Sequence, residues 1–174
     1  MTPLRLLPWV LWLALAAFSV TTYELLPADI PQQINAAGEI TRTTARSPLS
    51  WGMLPAIALG MLVLTQGLST LLPTRPELFN FPSKDKLLAL PPAARAPVIA
   101  HMRTFMDITS LLVMIIMLGV QWMLWQSAQG RASSTSSTVL MVVSFGLAPL
   151  LLVLVWRLNS ATERAHAAWQ ASQR

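Results

Sequence analysis

Few side chains of this chain are equipped for chemistry, and their spacing limits what they can do. There are two histidines, His101 and His166, seven acidic residues and no cysteine. Lack of cysteine removes thiolate nucleophiles, disulfides and zinc–thiolate sites together. His166 is the only other histidine available to His101, and no carboxylate stands at paired spacing, so no metal site is expected. No nucleophile with an adjacent base, phosphate-binding loop or dinucleotide fingerprint is present, and neither catalysis nor a cofactor is expected. One carboxylate stands out. Asp107 sits where a long apolar stretch begins. There it is either a first-turn residue facing the positive end of a helix, with Arg103 one turn earlier as a partner, or a functional intramembrane carboxylate.

The elements that must position these groups are legible from where charge is missing. Residues 6–23, 47–74, 108–130 and 132–156 contain no Asp, Glu, Lys or Arg. Each stretch is about as long as the roughly 20 apolar residues that cross a bilayer core. Of the 174 residues, 54% are hydrophobic and 11% charged, where a soluble domain carries about 25% charged residues. The expectation is an all-α polytopic membrane protein with helices over about 5–23, 51–72, 107–126 and 138–157. One membrane domain would cover 1–158 and a cytoplasmic tail 159–174. Arg5, Arg75, Lys84, Lys86, Arg95, Arg103, Arg157, Arg164 and Arg174 fall on one side of such a bundle, and Arg42, Arg46 and Arg131 on the other. The positive-inside rule then puts both termini in the cytoplasm. Trp9, Trp12, Tyr23, Trp51, Trp122, Trp125 and Trp156 read as interfacial belts at the helix ends, and Trp169 fits none. The first apolar run is longer than a secretory core region and contains Pro8, so it reads as an uncleaved helix. Net charge is +5, but the cations flank apolar windows, which favours lipid over nucleic acid. Gly52, Ala56 and Gly60 form a small-residue stripe suited to close helix packing. Pro55 and Pro149 remove backbone donors inside helices, and Gln66 and Gln121 are candidates for interhelical hydrogen bonds.

The connections carry the rest. Pro27 and Pro31 stop the first helix and impose extended or turn geometry. Leu26, Ile30 and Ile34 are unusual in a free aqueous loop, and Gly38 is where a positive φ costs least. An ordered outer cap between helices 1 and 2 is expected. The third connection, 127–137, is rich in Ser, Thr and Gly and reads as a solvated turn. Residues 91–106 combine Arg95 and Arg103 with Val98, Ile99, Met102 and Phe105, and read as a short interfacial helix leading into helix 3.

The run Leu26-Pro27-x-x-Ile30-Pro31-x-x-x-Asn35-x-x-Gly38, with Arg46 beyond it, resembles the bacterial membrane domain of unknown function 1648. That domain is shared with Sdp-type toxin-immunity proteins. Asn80-x-Pro82-x-Lys84 is similar to the family's second element. Gln33 and Ile34 stand where the family has a histidine and an aromatic residue, and Arg46 where it has a lysine. The resemblance implies the shared membrane domain. It does not carry over the immunity function, because those proteins have a further membrane domain. The resulting expectation is a non-enzymatic inner-membrane protein with a sensing, immunity-like or accessory role through its outer loop. Its partners would be the bilayer and another membrane protein or an extracytoplasmic peptide. The alternative is a small transporter or a subunit of a permeability pathway, with Asp107 as its carboxylate.

Overall fold

Charge exclusion and hydropathy translate into long helices. The computed structural model describes residues 3–35, 37, 39–131 and 134–173. In chain order these form α1 (Pro3–Thr22), β1 (Asp29–Ile34), β2 (Ile40–Ala45), α2 (Pro48–Leu71), α3 (Lys84–Ala89), α4 (Pro92–Ala128) and α5 (Ser134–Ala171). Single 3₁₀ turns occur at Tyr23–Leu25 and Pro76–Leu78. Three helical stretches, Pro3–Leu25, Pro48–Leu71 and Pro92–Ala128, are long and apolar enough to cross a membrane. The fourth window falls within α5, where the side chains of 134–137, 139–140, 143–144 and 147–148 lie outside the described residues.

The helix ends follow from local chemistry. Ser47 caps α2. Its Oγ accepts the Ser50 N–H at 3.0 Å, and Ser50 Oγ accepts the Ser47 N–H at 2.9 Å. Pro48 occupies the first helical position, where its missing N–H costs nothing. Gly130 ends α4 at φ +67°, a conformation that a Cβ would strain. There the Arg131 N–H donates to Gln126 O at 2.9 Å and the Gly130 N–H to Ser127 O at 3.1 Å, a Schellman stop.

Two expectations change. The separate interfacial helix over 91–106 does not exist, because α4 runs unbroken from Pro92. Val98, Ile99 and Met102 pack into a core there, and no glycine interrupts the helix between them and the apolar window. At 37 residues α4 is about 55 Å long, well beyond the roughly 30 Å hydrocarbon core. The structure is also not purely α-helical: the first connection is an antiparallel β-hairpin.

Contacts divide the chain into two compact units, Met1–Leu62 with Ser110–Leu147, and Val63–Thr109 with Ala148–Arg174. The first has two cores. Leu15, Ala58, Leu62 and Met114 form one, lined by Trp9, Trp12 and Met117. Leu26, Ile30 and Trp51 form the other, against Tyr23, Leu124 and Trp125. In α2, Trp51, Pro55, Ala58 and Leu62 make the buried face, so the glycine stripe falls beside it. A Cβ added at Gly52 or Gly60 meets nothing within 4 Å. The close packing expected of that stripe is therefore absent among the described residues. The core of the second unit is Leu72, Leu87, Leu90, Val98, Ile99, Met102 and Leu158, with Trp169 packed against it. Trp169 thus has a place in a packed core, which its position in a polar tail did not suggest.

Candidate functional site

Three constellations bring polar groups together, and the hairpin is the most completely built. Its strands pair Asp29 with Ala45, Ile30 with Thr44, Pro31 with Thr43, Gln33 with Arg42 and Ile34 with Ile40, with irregularities after Pro31 and after Gln33. The Arg46 N–H donates to Ala28 O at 2.7 Å. Alternation from that bond makes Pro31–Thr43 a non-hydrogen-bonded pair, so the missing proline N–H falls on the outer edge of β1. By the same alternation the Thr43 N–H and C=O point to the free edge of β2. All of β2 is exposed except the half-buried Thr44.

Several residues of the 26–46 run have an identifiable structural task. Leu26 and Ile30 are buried against Trp51. Arg46 Nη1 donates to Leu26 O at 2.8 Å, and its guanidinium lies 5.6 Å from the centroid of the Tyr23 ring. Asn35 closes the turn. Its Nδ2 donates to Glu39 Oε2 at 2.7 Å, and its Oδ1 accepts the Glu39 N–H at 2.9 Å. Pro27 is exposed and extends the chain away from α1. Gly38 lies outside the described residues.

Indoles and amides lock the ground beneath the hairpin. Trp51 Nε1 donates to Ser19 O at 2.9 Å, and Trp12 Nε1 to Pro55 O at 3.0 Å. Trp51 is 4% exposed, so it is a core residue and not a belt residue. Pro55 lacks the N–H that would have bonded the Trp51 carbonyl four positions earlier. Gln121, itself 1% exposed, aims its Nε2 at that carbonyl from 3.5 Å. The sequence marks both Pro55 and Gln121, but not that one compensates for the other.

Asp107 is the second constellation. It is 6% exposed and lies inside α4, so it is not a first-turn residue, and the helix-dipole reading fails because α4 begins at Pro92. Gln66 Nε2 donates to its Oδ1 at 3.4 Å. Arg103 Nε is directed at Ser69 O, 3.4 Å away. Ser69 Oγ is buried without a protein partner among the described residues.

The third joins residues that no sequence motif connects. Ser83 occupies the N-cap position of α3 yet makes no cap bond. Its hydroxyl turns to α5, meeting Asn159 and Glu163, the latter with Oγ to Oε1 at 2.9 Å. A hydroxyl has one proton, so Ser83 shares it between two acceptors, Asn159 Oδ1 and Glu163 Oε1. Lys86 Nζ reaches both Glu163 oxygens, at 2.7 and 2.6 Å. Hydrogen bonds from Lys86 and Ser83 hold the Glu163 carboxyl below the usual carboxylate range. The available signal was a single acid in a basic tail facing a lysine-bearing connection. Of the second family-like element, Asn80 and Pro82 are exposed and Lys84 is half-buried. The Lys84 N–H donates to Phe81 O at 3.1 Å, but Lys86, two positions on, makes the ion pair. His101 Nδ1–H donates to Pro97 O at 2.8 Å. Among the described residues no group of three His, Asp or Glu side chains is placed to hold a metal ion. Comparison with protein-family models, with curated proteins and with solved structures finds no match to this chain.

Proposed function

We propose that this chain is a non-enzymatic protein of the bacterial inner membrane, crossing it four times with both ends in the cytoplasm. Its hairpin is an outer recognition cap, on a membrane domain of the kind that its resemblance to the 1648 domain family implies. The working surface is the free edge of β2, which adds an extended segment from an extracytoplasmic peptide or another membrane protein. This makes its role sensing, immunity-like or that of an accessory subunit. One observation carries the reading: the hairpin is anchored from below by Leu26, Ile30, Trp51 and Arg46, while β2 is left exposed with no proline on its edge and only Arg42 and the irregular register near Gln33 to blunt it. Open edges are normally blunted.

The test separates the edge from the fold. Thr43→Pro removes an N–H that faces outward, and Thr44→Pro removes one that pairs with Ile30. In a deletion strain, Thr43→Pro is expected to insert normally yet fail to complement, whereas Thr44→Pro loses the hairpin itself. Full complementation by Thr43→Pro would sink the edge reading. A periplasm-active reporter inserted after Ala45 tests the orientation.

A second reading rests on Asp107. A buried carboxylate bonded to Gln66, close in sequence to the unpartnered hydroxyl of Thr109, is what a small transporter or permeability-pathway subunit would use. Under this reading proteoliposomes show substrate flux that Asp107→Asn abolishes. If the unaltered protein shows no flux, the reading fails.

A further inference from the structure

The second unit carries an open basin of about 670 Å³ whose wall includes His101, Trp156, Arg157, Asn159, Glu163 and Arg164. Its charge balance is one-sided. Among the described residues Glu163 is the only acid in that wall, and Lys86 already neutralises it at 2.6 Å. Arg157 is exposed, and its guanidinium has no protein partner among the described residues. Arg164 commits only its Nε, to Ser160 O at 3.2 Å. His101 commits its Nδ1–H to Pro97 O and leaves Nε2 open. Two guanidinium forks facing one basin suit the oxygens of a phosphate diester.

A second, narrower groove of about 350 Å³ shares His101 and Arg157 with the basin. Its remaining wall is mostly apolar, formed by Phe105, Ile108, Leu154 and Leu158 with Thr104. Ile108 and Leu154 belong to the charge-free windows 108–130 and 132–156. Trp156 is 66% exposed, as an indole at headgroup level would be. A soluble phosphate would use the basin and waste the groove.

The geometry points to a specific site for one anionic phospholipid, its phosphate against Arg157 and Arg164 and one acyl chain along Phe105, Ile108 and Leu154. This goes beyond non-specific attraction of a basic surface to a membrane, because the cations adjoin an apolar slot. It does not depend on the cap being a recognition surface.

The test is native mass spectrometry of the full chain released from neutral detergent with phosphatidylglycerol or phosphatidylcholine added. The unaltered protein is expected to prefer phosphatidylglycerol by roughly fivefold or more, the effect of one arginine near an anionic headgroup. Arg157→Gln and Arg164→Gln should each cut that preference severalfold and the double variant abolish it, so that a preference surviving Arg157→Gln means one left undiminished, while Arg75→Gln, an exposed cation outside the basin, should leave it intact. Leu154→Trp should weaken both lipids by filling the groove. sn-Glycerol 3-phosphate in equimolar amount should not compete. Equal binding of the two lipids, a preference that survives Arg157→Gln, an equal loss with Arg75→Gln, or displacement by glycerol phosphate would each overturn the site.

Discussion

The floor of the hairpin and the α3–α5 junction are held by different kinds of polar contact. In the first, side chains bond to the main chain: Trp51 to Ser19 O, Trp12 to Pro55 O, Gln121 to Trp51 O and Arg46 to Leu26 O. In the second, side chains bond to one another: Ser83, Asn159, Glu163 and Lys86. A carbonyl is present whatever residue bears it, so the first arrangement survives change in the acceptor residue but depends on the donor. The second depends on both partners and on the ionisation of one. The lesson is that the hairpin is built as a fixed surface, whereas the α3–α5 junction is held by charge.

The predictions probe that contrast. The largest effect is expected from Trp51→Ala, which empties the hairpin core and removes the bond to Ser19; by analogy with buried aromatics it costs about 3–5 kcal/mol. Hydrogen exchange of the amides in β1 and β2 should rise to match, and an unchanged rate would show that the hairpin holds without its indole.

Next is Gln121→Leu, which strands the Trp51 carbonyl at a cost of about 1 kcal/mol. Pro55→Ala should rescue it by supplying the missing N–H. The double-mutant cycle, read from thermal unfolding in detergent, should therefore show coupling. Additivity would mean that Gln121 does not serve that carbonyl.

Asn35→Ala removes both Asn35–Glu39 bonds and should fray the exposed turn by about 0.5–1.5 kcal/mol, seen as faster exchange at Glu39 and Ile40. No change at Ile34 or Ile40 would place the register under the control of the strands alone.

The smallest effect is acid sensitivity in the second unit. The Glu163 carboxyl is held below its ordinary value, so its contribution is fully present above the usual carboxylate range and is lost as pH falls through its lowered value. Exchange of the α3 amides, corrected for the intrinsic rate, should therefore quicken in acid. Glu163→Gln should flatten that dependence. A variant that keeps the unaltered profile would remove Glu163 as its cause, and acid sensitivity of equal size in the hairpin would erase the contrast between the two regions.

Much of this was legible beforehand, for reasons that differ by residue. The prolines at 27 and 31 forbid helix, and Leu26 and Ile30 demand burial, so an ordered cap follows from local constraints. Its β-hairpin form does not, because pairing needs Ile40–Ala45 as well, and that segment, though rich in β-branched Ile and Thr, lacks the apolar alternation that marks a half-buried strand. Asp107 is marked by its apolar surroundings, but its place in the helix is set by a start at Pro92 that the edge of the charge-free window conceals. Ser83 and Glu163 were not connected, since nothing local to either shows the other, 80 positions away.

What the sequence determined by itself is where apolar helix runs, because the cost of burying charge is set residue by residue and accumulates along a continuous stretch. Tertiary structure alone decided which donor meets which acceptor: Gln121 with the carbonyl freed by Pro55, Arg46 with Leu26, Lys86 with Glu163. A polar group's partner depends on which segments lie side by side, and that is a property of the packed chain and not of any window within it.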